Sequence, residues 1–334
     1  MNKLFLIISI IVASLAFQVN ASEKEYKKII EKFDVPEAVR QCVGIENSKS
    51  FWNALVDKNP RLEKLFKDIQ KMKGTEKEAL TNVSRMSIFN PATDPDVIHS
   101  WDSTLNLFRE YMGISENCCS VHLYDDNSMN AATCLTVDKR FAVLVNGGTI
   151  DVIKNDKDLL FAVLAHEMAH GMLFHHLDTE YSVAKKKRKD KILAGIAAGL
   201  NAVAVGAELY TATQYGVKPS GVDYGKNIEK IGDDLKKSEY LFRYKYQRGN
   251  EYEADLVAYR FMDQIMGNGD KYIDLLNLIG NMSPINLYES EDSDHPTIDQ
   301  RIGVLKYAAQ HPEIVNEEDK KILSKVEKSV RRKK

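Results

Sequence analysis

The sequence predicts an α+β fold, predominantly helical, with a small antiparallel sheet and a distinct helical region at the N-terminal end. Three observations carry this. Apolar residues recur at three- and four-residue intervals along most of the chain. Only residues 120–145 switch to short strand-like runs separated by turn residues. A breaker-rich patch, Asn90-Pro91-Ala92-Thr93-Asp94-Pro95, divides a charged helical region from the larger C-terminal part of the chain. A length of 334 residues suits about two domains with a sizeable core.

The first 21 residues read as a secretory signal. Lys3 begins it, Leu4 to Phe17 are apolar, and Val19-Asn20-Ala21 is a small-residue cleavage site before Ser22. The expectation is an exported, periplasmic or cell-envelope protein. Cys42, Cys118, Cys119 and Cys134 fit an oxidising compartment, where two disulfides could form in any of three pairings; buried thiols are the alternative. Formal net charge is −2, and no nucleic-acid-binding motif is present, so nucleic acid is not an expected partner.

Residues 22–93 form the N-terminal helical region, with helices expected at Lys24–Phe33, Ser50–Val56 and Arg61–Met72 and no recognisable chemistry. A helix over about 96–112 should come next, with Val97, Trp101, Leu105 and Phe108 on one side. Strands are expected at Ser120–Tyr124, Ala132–Val137 and Phe141–Val145, and Gly147-Gly148 should end the sheet. Asn155-Asp156-Lys157-Asp158 then leads into an apolar helix with acidic residues in its first turn. Beyond it lie the basic run Lys185-Lys186-Lys187-Arg188 and an Ala/Gly-rich segment from Ile192 to Ala207, in which Gly195 and Gly199 form a GxxxG spacing. That segment is too weakly hydrophobic for a full membrane span. It reads as a helix packed over the domain, or as a peripheral membrane contact through residues 185–215. Residues 216–247 read as a polar linker leading into another helix. One helix is expected from near Asn250 to Gly267-Asn268-Gly269, and another after Asp294-His295-Pro296-Thr297. Residues 313–334 form a charged tail.

The chemistry lies in His166-Glu167-Met168-Ala169-His170. Residues four apart on a helix share a face, so His166 and His170 can address one metal ion, with Glu167 placed to take a proton from a water on it. This is the signature of a zinc peptidase. A third ligand is required. His176 lies ten residues after His166, as in a metzincin, but that arrangement breaks the helix at a glycine where this chain has Leu173. With Leu173 and Phe174 continuing the helix, His176 points away, and His175 and His176 are expected to be exposed or structural. Glu251 is the better candidate, with Asp255 one turn later on the same helix face to hold the tautomer of a ligand histidine. Glu253 points to another side and reads as a surface carboxylate.

Four segments together resemble the HtpX-like, CAAX-endopeptidase-related family of zinc metallopeptidases, a glutamate-liganded group whose branches include soluble periplasmic and Oma-type members. They are Asn130-Ala131-Ala132, Asp158 to Ala165 before the histidine motif, Glu251-Tyr252-Glu253-Ala254-Asp255, and Asp294-His295-Pro296 with Arg301-Ile302. They cover roughly residues 96–310. The resemblance implies a zincin-like domain over 94–312, with one Zn²⁺ on His166, His170 and Glu251 and Glu167 as base. It places His295 and Arg301 at the cleft, with His295 stabilising the transition state or occupying the metal in a resting form. Asn130, Ala131 and Ala132 would lie on the substrate-side strand. The function expected is endoproteolysis of unfolded or misassembled envelope polypeptides. A non-catalytic or latent chaperone on the same scaffold is the alternative, and a structural zinc protein a weaker third.

Overall fold

A computed structural model describes residues 23–33, 35, 39, 45–57, 59–71, 119–124, 126–135, 141–153, 156–215, 224–282, 293 and 295–314. The expected signal segment 1–21, the helix at 96–112, Cys42, Cys118 and most of the charged tail lie outside these residues, as do the side chains of Cys119 and Cys134.

In the N-terminal region, α1 (residues 23–30), α2 (Ser48–Val56) and α3 (Pro60–Gln70) fall close to the expected spans. Their starts follow from local chemistry. Asn47 caps α2 in a reciprocal capping box with Ser50, and Asn59 caps α3 ahead of Pro60, whose fixed φ suits a first helical position. Among the described residues, this region shares its core with the later helices. Ile30, Phe33, Phe51, Trp52 and Leu55 belong to the same buried cluster as Leu160, Leu164, Val257 and Phe261 of the later helices.

Strands β1 (Cys119–Tyr124), β2 (Ala131–Leu135) and β3 (Phe141–Asn146) form a three-stranded sheet in the order β1-β3-β2. β2 pairs with β3 antiparallel, as expected, whereas β1 joins β3 in parallel, so the sheet is mixed. The reason is readable in β3: its Ala142, Val143 and Val145 are all buried, and a continuous apolar run suits a central strand covered on both faces. Ala131 and Thr133 are half-buried and Ala132 is exposed, which suits an edge. Gly147-Gly148 does not merely end the sheet but starts a short helix, α4 (Gly147–Ile153). A Cβ at Gly148 would meet the Asn127 carbonyl oxygen at 2.1 Å, so only glycine lets α4 press against the turn that precedes β2.

α5 (Lys157–Met172) carries the histidine motif; Asp156 caps it by accepting from the Leu159 amide. α6 (His175–Tyr215) and α7 (Tyr224–Gln264) are each 41 residues long and run antiparallel. The expected polar linker at 216–247 is therefore mostly helix. Its charges are solvated faces and cross-helix ties: Arg243 forks onto Glu180, and Lys187 meets Glu239 at 2.6 Å. α8 (Asp270–Met282) is an unexpected element, although Tyr272, Leu275, Leu276 and Ile279 carry helical spacing. α9 (Ile298–Gln310) follows the His295-Pro296 segment under a Thr297 cap.

The described side chains of the Ala/Gly-rich segment, within residues 192–200, do not pack over the domain. Ile192, Leu193, Ile196 and Leu200 are exposed, and a Cβ at Gly195 or Gly199 would meet nothing. Among the described residues, no helix is long and apolar enough to cross a membrane.

Candidate metal centre

α5 is buried along most of its surface, with Leu160, Val163, Leu164 and Met168 fixed in the core. Its rotational setting is therefore decided by packing, and one face is left to present His166 and His170. α7 crosses it and contributes Glu251. The three ligand groups form a compact triangle, in which Glu251 meets each histidine through a different carboxylate oxygen: His166 Nε2 to His170 Nε2 is 3.2 Å, His166 Nε2 to Glu251 Oε2 is 3.3 Å, and His170 Nε2 to Glu251 Oε1 is 3.4 Å. Zn–N and Zn–O bonds of ~2.0–2.1 Å in a tetrahedron require ligand separations of about 3.3 Å, so these groups lie within reach of one zinc ion. Glu251 Oε2 is also buried, 3.3 Å from His166 Nε2 and 3.7 Å from Arg301 Nη2, among groups that carry or hold positive charge.

Behind His166 stands a second layer. Arg301 grips Asp255 with two bonds, Nε to Oδ2 at 2.8 Å and Nη2 to Oδ1 at 2.5 Å. The Tyr272 hydroxyl donates to Asp255 Oδ1 at 2.7 Å, and the Asp255 carboxylate lies 3.2 Å from His166 Nδ1. With its one proton on Asp255, the Tyr272 oxygen accepts from His166 Nδ1 at 2.8 Å. The proton is thereby fixed on Nδ1 and Nε2 faces the triangle. The surrounding charges favour a cation at this point. Burial would raise the Asp255 carboxyl, but the charge and hydrogen bonds of Arg301 outweigh it and hold it down at about 2. Burial likewise opposes a charged His166, yet the hydrogen bonds and charges of Asp255 and Glu251 push it up to about 10. Glu251 is held well below the usual carboxylate range against its burial, by the neighbouring histidines His295, His170 and His166. The pocket is thus built to favour positive charge at its centre.

Glu167 is buried beside the triangle, and Thr133 of β2 bonds both its main-chain oxygen at 2.6 Å and its Oε2 at 2.8 Å. A cleft of about 290 Å³ opens on one side, past Thr133 and Phe174. A second, of about 190 Å³, opens on the other, past Asn130, Leu275 and Ile279. His166, Glu167, Glu251 and His295 line both, so the site sits where the two meet. Asn130, Ala131 and Ala132 run along these clefts, and the half-exposed His295 places Nε2 3.7 Å from Glu251 Oε1. Arg301 touches the second cleft, but its guanidinium is committed to Asp255.

Several expectations are corrected. The helix does not continue through Leu173 and Phe174: α5 ends at Met172, and Phe174 adopts φ 54°, a left-handed conformation that turns the chain into α6. His176 is nonetheless exposed and outside the ligand triangle. Glu253 is not a surface carboxylate but buried, bonded to the buried His175, which in turn contacts His170. Thr133 and Tyr272 are unexpected members of the site. Thr133 lies at a strand edge next to Asn130-Ala131-Ala132, and Tyr272 on a helix with legible spacing, but neither carries a motif.

Among curated proteins, none matches this chain. Among solved structures, the crystal structure of Ste24p from S. mikatae is similar at 15% identity and a TM-score of 0.36, covering 91% of this chain and 66% of that one, just under two thirds of its length. Residues 112–309, well over half of the sequence, match the profile of peptidase family M48 and span both the ligand helices and the His295–Arg301 segment. The chain belongs to peptidase family M48.

Proposed function

We propose that this protein is a zinc-dependent endopeptidase of the cell envelope that cleaves unfolded or misassembled exported polypeptides. The observation that carries this is the His166–His170–Glu251 triangle with Glu167 buried beside it and an edge strand crossing the cleft. Zinc bound there would act as a Lewis acid on the scissile carbonyl and lower the pKa of water to about 7. The remaining steps fall to side chains. Glu167 takes the proton of the attacking water and returns it to the leaving amine. Thr133 holds the Glu167 carboxylate in place through its hydroxyl. His295, half-exposed at the mouth, donates to the oxyanion as it develops. Asp255, Tyr272 and Arg301 act through His166, as positioning residues.

Among the described residues β2 is an edge strand, paired with β3 on one side, so an extended peptide can add on its other side along Asn130–Ala132 through main-chain hydrogen bonds. Such bonds read backbone rather than side chains and require an unfolded segment, which supports the substrate class. The apolar segment of residues 1–21 supports export. Exposed Ile192, Leu193, Ile196 and Leu200, next to exposed Lys185, Lys187, Lys189 and Lys191, support a peripheral contact of α6 with an anionic bilayer.

The deciding experiment compares wild type with Glu167→Gln on an unfolded reporter polypeptide. The variant should hold one zinc per chain and lose cleavage; full activity in it would sink the assignment. A latent form on the same scaffold is the second reading, favoured by the closeness of His295 to Glu251. His295→Ala should lower kcat, whereas a rise would make His295 a gate.

A further inference from the structure

His166 has an evident carboxylate partner on its outer nitrogen; His170 does not. What faces its Nδ1 is another imidazole. His175 Nδ1 lies 3.0 Å from His170 Nδ1, and His175 Nε2 lies 3.1 Å from Glu253 Oε2. The two rings meet edge to face, with centroids 4.9 Å apart. His175 and Glu253 are both buried, and neither has a part in the cleavage chemistry above.

Donor arithmetic orders this chain. A carboxylate only accepts, so the nitrogen facing Glu253 must carry a proton. In a neutral imidazole the other nitrogen is then an acceptor, so the proton between the two rings belongs to His170. We propose that Glu253 and His175 are the positioning relay for the second zinc histidine: Glu253 fixes the proton of His175 on Nε2, His175 fixes that of His170 on Nδ1, and the His170 Nε2 lone pair is left facing His166 and Glu251.

Two features support the relay. Arg61 of α3 places Nη2 3.8 Å from Glu253 Oε2, which keeps that carboxyl an acceptor. The same guanidinium donates to the Leu173 carbonyl at the end of α5 and to Asp178 at 2.8 Å in α6. Finally, the left-handed turn at Phe174 is what lets a residue only five positions after His170 fold back onto it. The N-terminal region, without chemistry of its own, thus holds the relay from behind.

The inference rests on the zinc reading, and one titration separates the two. Zinc-loaded wild type, His175→Phe, His175→Gln, Glu253→Leu and the Phe/Leu double variant are each competed against a chromogenic chelator. Phe keeps the ring volume but has no acceptor; Gln restores an acceptor oxygen. Affinity should fall about 10–100-fold in His175→Phe and Glu253→Leu, as for other partners of ligand histidines. His175→Gln should recover most of it, and the double variant should lose no more than either single one, because the two residues act in series. Wild-type affinity in His175→Phe, or losses that add, overturn the relay. A wild type that holds no zinc overturns the metal-site reading itself. If His175→Phe shows no cooperative unfolding transition, Glu253→Leu against His175→Gln decides: a loss in the first alone supports the relay, and equal effects overturn it.

Discussion

Thr133 is the side chain on which the proposed base, Glu167, depends most directly. Its hydroxyl has one proton and two acceptors within reach, Oε2 and the main-chain oxygen of Glu167, so it both orients the carboxylate and ties β2 to α5. Thr133→Val keeps the shape and removes the donor. A hydrogen bond to a charged group is worth ~1.5–3 kcal/mol, so kcat should fall about tenfold or more at little change in KM, read by steady-state cleavage of an unfolded reporter. The zinc ligands and Asp255 could be paired from the sequence itself because their relation is local to a helix, whereas Asn130–Ala132, His295 and Arg301 came with the family resemblance. His166 and His170 are four apart, and Glu251 and Asp255 are four apart, so periodicity alone put each pair on one face. Thr133, Tyr272 and the His175–Glu253 contact depend on which elements meet. His175 depended further on Phe174, a bulky residue in a left-handed conformation that propensity argues against.

At the scale of elements, the start of α5 is held twice. Asp156 caps it, and Lys271 at the start of α8 bonds that same carboxylate at 2.8 Å, while Asn268 reaches Asp158 at 2.9 Å. Asp156→Ala should cost about 0.5–2 kcal/mol at neutral pH, measured by urea unfolding. The pH dependence follows from its titration. The Lys271 hydrogen bond, against a partial desolvation, lowers the folded pKa of Asp156 below its ordinary 3.8. The unfolded chain therefore binds the proton first on acidification. The contribution is whole above about pH 4 and is lost as pH falls through the lowered folded value. Wild type and Asp156→Ala should converge in stability in that acid range, and a constant difference would count against this. Element boundaries were legible where a cap or breaker marks them, as at Asn59-Pro60, Asp156 and Thr297. The register of long polar helices was not. Residues 224–249 carry only a thin apolar stripe, Ile228, Ile231, Leu235 and Phe242, among many charged residues, and the pattern that normally announces a helix was diluted.

Across the molecule, the N-terminal region and the catalytic helices share one core. Trp52 and Phe51 pack on Phe261 of α7 with ring centroids 5.3 and 5.6 Å away. Trp52→Ala should cost about 3–5 kcal/mol, with loss of zinc retention following the loss of fold; urea unfolding of the zinc-loaded protein checks it. Composition and turn spacing announced a charged helical region there, but could not announce its docking, since an apolar helix face does not name the surface that covers it. Zinc itself adds to stability by mass action. Each tenfold rise in free zinc above its Kd should add ~1.4 kcal/mol, so the thermal midpoint should climb with zinc and drop with chelator. The ligand set spans the chain unevenly, with His166 and His170 at one end of α5 and Glu251 far along α7. A bound ion therefore closes a ring, and α6 with the part of α7 up to Glu251 lies inside that ring as a staple encloses a fold of cloth. A partner that grips the hairpin and favours the ion-closed form is thermodynamically linked to the ion. If vesicles docking on Ile192 and Ile196 tighten zinc by some factor, zinc must tighten the docking by that same factor.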